Sequence, residues 1–278
     1  MKNNFIAGLV TATGLTGAPV LWAQTVVPAQ RQAAATAEAQ DKAPTQLEEM
    51  LKGFSMTDQA GKPVDVSALS KGQCVVLFGY GNCPLCAEIT KTVSEIQKRM
   101  LEADIKDVPI IIISAQPEKD RDNMANYLGG FHISGMKQFA SEAKQEEGKA
   151  RKEIGEEMIA AAKNLPANER ILHVLCPENA EQTQEIQKRL AKIAGTPSGT
   201  DPKNPKQHTR NLTLITDGKI VIPSDGKGPL IGAKFDRETK EFVATDEMIN
   251  EQATRFMAEL MKQREAAKAT TKDAQRAK

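Results

Sequence analysis

Cys74-Val-Val-Leu-Phe-Gly-Tyr80-Gly-Asn-Cys83-Pro84-Leu85-Cys86 decides how this chain is read. Its first seven residues form an apolar run of strand length. After Cys86, the residues Ile89, Val93, Ile96 and Met100 recur at helical spacing. Two thiols therefore occupy the turn between a buried strand and the first turn of an amphipathic helix. The unpaired N–H groups and positive dipole end of a helix stabilise a thiolate, which is both a nucleophile and a soft metal ligand. Pro84 suits the first turn, because its missing N–H would find no partner there. The pattern predicts a dithiol that works in redox exchange or metal binding.

Working outward, Phe54 to Leu69 reads as a hairpin turning at Asp58 to Gly61. The helix after the dithiol is expected over about 85–104. Val108-Pro-Ile-Ile-Ile-Ile-Ser114 is a continuous apolar run, the pattern of a parallel strand buried on both faces. Strand, helix and strand in this order make a right-handed crossover unit. Residues 118–129 predict a second helix ending at Gly129-Gly130. From Met136 to Asn164 the chain is dense in Glu, Lys and Ala, which predicts one or two exposed helices with a solvated face. Ile171 to Cys176 returns to strand character, a helix follows over 179–194, and a Gly/Pro/Asn/Lys loop spans 195–207. Asn211 to Pro223 is the clearest hairpin, two alternating runs joined through Asp217-Gly218. A last helix is expected over 246–262, with Ile249, Ala253, Phe256, Met257 and Leu260 on one stripe. Beyond 264 a Lys/Ala/Thr tail reads as frayed or disordered.

The N-terminus reads as an export signal over residues 1–23. A weakly basic start precedes an uncharged, small and apolar stretch from Phe5 to Leu21, with small-residue cleavage points after Ala23 or Ala29. Retention as an N-terminal anchor in the inner membrane is the alternative. Residues 24–45 read as a flexible spacer. The expected domain then covers 46–263, with the charged insertion at about 136–165 and a tail at 264–278. Such a chain would be exported to the periplasm, where thiols meet oxidants. Its 278 residues carry 37 Lys and Arg against 36 Asp and Glu, so no nucleic-acid or anionic-membrane partner is implied by bulk charge. Four cysteines are too few to build a disulfide scaffold. Ordinary burial must make the core, leaving the thiols free for chemistry.

A crossover unit with a CxxC at its strand–helix turn, then an antiparallel hairpin and a final helix, resembles the thioredoxin fold. The expected class is α/β: a central mixed sheet flanked by helices, with a helical insertion. Flanking residues narrow the likeness. Phe78-Gly-Tyr80, Ser114-Ala-Gln-Pro-Glu-Lys-Asp120 and His208 just before the hairpin together resemble the Sco (SenC/PrrC) family. The resemblance spans roughly 50–130 and 170–225. It implies an exported, often anchored protein that binds copper through two cysteines and a histidine and assists cytochrome c oxidase assembly. Some members are assigned thiol-disulfide roles instead. Two departures stand out. The family places three residues between its cysteines and this chain two, and Gln116 stands where the family's segment has Asp, although Asp120 matches. The shorter turn brings the pair nearer to a plain redox dithiol, and Cu(I), being soft, still accepts two thiolates.

Cys83 is the expected attacking thiol and Cys86 the resolving partner or second ligand. On its own context, beside Lys206 and Arg210, His208 reads as a solvent-exposed loop histidine, whereas the resemblance implies that it is the third copper ligand, or a proton carrier for the thiols. His132, placed in a loop after Gly129-Gly130, and His173, within a strand, are read as structural. Cys74 opens one strand and Cys176 closes another. If those strands are parallel, the thiols lie roughly 15–20 Å apart at about 3.3 Å per residue, too far for a bridge. Cys74 is then an inert buried thiol, while Cys176 lies at the sheet edge that carries the CxxC. The methionines fall on helix stripes and helix ends, where packing accounts for them. The residues and the resemblance together leave three functions open. The first is a Sco-like metallochaperone for a respiratory oxidase subunit or another thiol-bearing exported protein. The second is a periplasmic thiol-disulfide oxidoreductase. The third is an adaptor whose dithiol is vestigial.

Overall fold

The structure, a computed structural model, describes residues 44–65, 72–81, 83–135, 144–164, 172–196, 198–199, 203 and 208–276. The expected leader, the cleavage points and nearly all of the spacer lie outside these residues. Thr45 and Glu48 close a capping box that starts α1 (Gln46–Leu51). A two-residue strand β1 (Met56–Thr57) follows. The Asp58 to Gly61 turn forms, with the Gly61 N–H on the Asp58 carbonyl, and a short antiparallel hairpin closes around it through Asp58 N–H to the Lys62 carbonyl at 2.8 Å, Val64 N–H to the Met56 carbonyl at 3.1 Å and a Thr57–Pro63 bridge. β1 also pairs antiparallel with β4, and the expected 54–69 hairpin forms over its central residues 56–64. Residues 66–69 of that expectation lie outside the described residues.

β2 (Gln73–Gly79), α2 (Pro84–Glu102) and β3 (Ile110–Ser114) build the expected crossover unit, the two strands parallel. β4 (Leu172–Pro177) lies parallel to β3 on its far side. α6 (Ala180–Ala194) is capped by Asn179 and stops at Gly195, whose φ of 63° a glycine takes without strain. The hairpin of β5 (Asn211–Thr216) and β6 (Lys219–Val221) turns through Asp217 and Gly218, both at positive φ. Short strands β7 (Leu230–Ile231), β8 (Lys234–Phe235) and β9 (Phe242–Val243) precede the last helix, α7 (Asp246–Arg276). The main sheet runs β1-β4-β3-β2-β5-β6, with β7 also on β5 and β8 and β9 paired apart.

Strand alternation divides the core between the two faces of this sheet. Val75, Leu77, Ile110, Ile112, Val174 and Leu214 meet the α2 stripe and Phe256 and Leu260 of α7. Val76, Phe78, Ile111, Ile113, Leu175 and Ile215 meet α1 and α6. Both faces are covered, which is why β2 and β3 read as apolar runs and β4 as one interrupted only by His173. The architecture is the expected thioredoxin-like fold. Gln59 ties β1's turn to β4, donating to the Leu172 carbonyl at 2.8 Å and accepting the Val174 N–H at 3.0 Å.

Three expectations need correction. The second helix does not end at Gly129-Gly130. It breaks once, at Asn123, into α3 (Pro117–Asp122) and α4 (Met124–Gly135), and α4 runs through both glycines. His132 therefore lies on a helix, not in a loop. The reason is packing: α5 (Lys144–Asn164) crosses α4 so closely that a Cβ at Gly129 would run into the Arg151 carbonyl, and one at Gly155 into the Ala125 carbonyl. The glycines serve close approach, not termination. For the same reason α5 is more than a solvated face. It buries Gly155 and Ala162, and Met158 and Ile159 pack on the core. Finally, α7 continues to Arg276, past the point where fraying is expected, through a segment rich in good helix formers. Among the described residues, no helix is long and apolar enough to cross a membrane.

Candidate functional site

Three pieces of chain meet at the C-terminal end of β2. The first is the dithiol turn. Cys83 is the N-cap of α2, with extended backbone, and its Sγ accepts the Cys86 N–H at 3.1 Å. Pro84 takes the first helical position. One turn in, Cys86 Sγ accepts the Tyr80 N–H at 3.4 Å. Space at Gly79 is tight, since a Cβ there would stand 3.2 Å from Cys86 Sγ and 3.3 Å from the Tyr127 hydroxyl.

The second piece comes from the end of β3. Asp120, on α3, is buried and accepts the Gly81 N–H at 3.1 Å through Oδ1, while the Ser114 hydroxyl donates to Oδ2. This carboxylate pins the loop that leads into Cys83. Burial pushes its pKa up, against the pull of those two donors.

The third piece is His208. β5 runs antiparallel to β2, with Val76 opposite Thr213, so continuing the register sets Thr209 opposite Tyr80. A residue shortly before β5 thus arrives beside the turn that follows β2. His208 is 7% exposed, not a solvated loop histidine. Its Nε2 lies 3.2 Å from Cys83 Sγ and 3.3 Å from Cys86 Sγ. Its Nδ1 lies 3.0 Å from the Thr209 carbonyl. A carbonyl only accepts, so Nδ1 carries a hydrogen and Nε2 is the atom turned on both sulfurs. The Tyr80 ring meets the imidazole edge-on, with centroids 5.7 Å apart.

The two thiols are electrostatically unequal. Cys83 is held down at about 5, first by the hydrogen bond from Cys86, then by the hydrogen bond and charge of His208 and by the Cys86 N–H; burial opposes these. Cys86 is pushed well above its ordinary value, by burial first and then by the neighbouring Cys83. Tyr80 rises to about 12 through burial and the nearby thiols. The arrangement offers one thiolate nucleophile and one reserve thiol beside an imidazole. Equally, it offers two sulfurs and a nitrogen within 4.8 Å of one another, the soft donor set that suits copper.

Among the described residues this group contains Cys83, Cys86 and His208 and no other cysteine. All four cysteines are free thiols, and burial raises both Cys74 and Cys176 to about 12. Cys74 starts β2 at the opposite sheet edge, and Cys176 sits in the core on β4. His173 is buried within β4. Two residues at the site were not singled out from the sequence: Tyr127 of α4 and Arg151 of α5, both beside the dithiol. Neither lies near the CxxC in sequence, and only the helix crossing brings them in.

A thioredoxin-like sheet carrying a Cys-Cys-His group at the carboxyl ends of its parallel strands defines a dithiol protein with a soft-metal donor set. Residues 42–144 match the SCO1/SenC family model. The matched stretch holds both cysteines and Asp120; His208 and α5 fall beyond or at its end. Solved structures with similarity include a SCO1/SenC family lipoprotein from Bacillus anthracis, 16% identical over 72% of this chain and 90% of that one, with a TM-score of 0.40. Bradyrhizobium japonicum ScoI with copper bound is 21% identical over 73% and 96%, with a TM-score of 0.39. Yeast Sco1 with copper bound is 14% identical over 60% and 75%, with a TM-score of 0.35. No curated protein sequence matches the chain.

Proposed function

We propose that this protein is an exported, Sco-like thiol protein that holds one copper ion between Cys83, Cys86 and His208. It delivers that ion to a respiratory oxidase subunit, or keeps the subunit's cysteines reduced for metallation. The observation that carries this reading is the aim of one imidazole nitrogen at both sulfurs while the other nitrogen is anchored on a carbonyl. Anchoring the far nitrogen fixes the tautomer and ring orientation, as it does for metal-ligating histidines generally. Copper is cargo here, and two sulfurs that open onto a cavity at a rigid sheet end would pass it on by ligand exchange. The reading includes an export signal over residues 1–23, cleaved or kept as an anchor, and a flexible spacer before the domain.

Anaerobic titration of the reduced mature protein with Cu(I), against a competing chelator, tests the reading. One tight equivalent is expected, lost in Cys83→Ser/Cys86→Ser and weakened in His208→Ala. Binding no tighter than in the cysteine-less variant overturns it.

The unequal thiols favour a second reading, a periplasmic thiol-disulfide oxidoreductase. Cys83 would attack a substrate disulfide and Cys86 would resolve the mixed disulfide. Catalytic reduction of a disulfide substrate, abolished by Cys83→Ser, is its signature. An adaptor would instead keep its cellular role without either cysteine.

A further inference from the structure

Beside the dithiol lies a cavity of about 240 Å³, walled by the Tyr80–Ala87 turn on one side and by α4 and α5 on the other. Cys83 and Cys86 both open onto it. On the far wall is Arg151, the only charged side chain besides the Cys83 thiolate among the described lining residues. Its guanidinium lies along the bare backbone of Gly130, where an added Cβ would stand 3.6 Å from Nε and Nη1. The approach of α5 that leaves no room for a Cβ at Gly129 or Gly155 is what carries Arg151 to this wall.

We propose that this cavity is a substrate subsite, in which Arg151 receives the carboxylate of a small thiol or disulfide while its sulfur meets Cys83. Guanidinium groups recognise carboxylates through paired N–H donors, with a geometry that an ammonium does not reproduce. The volume, below the ~300–1,000 Å³ usual for small-molecule pockets, seats a group of a few residues and not a folded loop. The proposal rests on the thiol-exchange chemistry of Cys83 and not on copper binding. In the exchange, the Cys83 thiolate attacks one sulfur of the disulfide, the S–S bond breaks, and one thiolate leaves. Cys86 then attacks the Cys83 sulfur, and its proton leaves on the second thiol. Two electrons pass from the protein dithiol to the disulfide, and the protein is left with a Cys83–Cys86 bond. Arg151 takes no part in these bonds. It selects which disulfide arrives.

Reduced protein mixed with oxidised glutathione, a carboxylate disulfide, is compared with neutral 2-hydroxyethyl disulfide, reading the rate of Cys83 modification by quenched mass spectrometry. The native chain is expected to prefer the carboxylate disulfide, and Arg151→Gln to lower that preference about tenfold, the low end of charge-lined cleft effects. The neutral disulfide should react equally with both proteins, and Arg151→Lys should restore the preference in part. An unchanged ratio in folded Arg151→Gln overturns the proposal and leaves the exchange chemistry standing. A larger gain with an acidic cysteine peptide than with glutathione also overturns it, giving the arginine to a protein partner. No reaction of the native chain with any disulfide removes the exchange reading and this subsite with it. Cu(I) binding by Arg151→Gln should match the native chain, which keeps the metal reading separate.

Discussion

Cys83 owes its acidity to the company it keeps. A thiol that is 8% exposed should resist ionisation, yet the Cys86 hydrogen bond, His208 and the α2 N–H outweigh burial and hold it at about 5. The sign follows: with the pKa depressed, the thiolate fraction rises as pH climbs through about 5 and is complete by neutral pH. Cys74 and Cys176, at about 12, stay protonated over the same range. Iodoacetamide modification mapped by mass spectrometry should therefore titrate at Cys83 near pH 5, while the other three cysteines stay silent. His208→Ala removes two of the lowering influences and should move that midpoint upward. A midpoint at the ordinary thiol value in the native chain would sink this account. Asp120 acts by position: Asp120→Ala frees the Gly81 N–H and the Ser114 hydroxyl and should cost about 2 kcal/mol in urea unfolding, as lost hydrogen bonds to a buried charged group do. Much of this site was legible, because a CxxC at a strand–helix turn is a local signal. His208 was readable through resemblance, and the antiparallel β2–β5 register supplies the physical cause. Arg151 was not readable, since nothing in a Lys/Glu/Arg-rich helix marks the one residue that a crossing turns toward the thiols.

At the scale of elements, α4 and α5 show where local signals mislead. Gly129-Gly130 looks like a helix stop by propensity, but close packing overrides propensity when the partner helix needs the space. The same logic gives a prediction of opposite sign to the naive one. Gly155→Ala raises helix propensity by about 1 kcal/mol, so an exposed glycine would be improved. Here the new methyl meets the Ala125 carbonyl, and overpacking of this kind costs about 1–3 kcal/mol. Chemical denaturation should show net destabilisation. Because Arg151 depends on the same crossing, the preference for carboxylate disulfides should fall with it. A more stable Gly155→Ala protein would mean that the helices do not approach so closely. The turn at Asp58 to Gly61 was legible as a hairpin, but β1 also pairs with β4, more than a hundred positions away, and no local pattern records that pairing.

Across the whole molecule, one sheet divides two cores, and the last helix closes the one beneath the dithiol. α7 contributes Ala253, Phe256 and Leu260, all fully buried, against α2 and the sheet. α2 carries Cys86 and is capped by Cys83, so the footing of α7 is also the footing of the site. Beyond Arg264, which pairs with Asp107 at 2.9 Å, the next residues of α7 are exposed. These facts separate two changes that look alike in sequence. Phe256→Ala opens a cavity in a full core and should cost about 3–5 kcal/mol, a large fraction of a domain's stability. A chain ended after Glu265 keeps the buried stripe of α7 and loses exposed positions 266–269 with the residues after them, and should unfold within about 0.5 kcal/mol of the full chain. Thermal and urea unfolding, followed by circular dichroism, measure both. The low reactivity midpoint of Cys83 should survive the truncation and weaken in Phe256→Ala as α2 loosens. If the truncated chain were instead the one to lose stability or thiolate character, the segment after Arg264 would have to carry contacts with the domain.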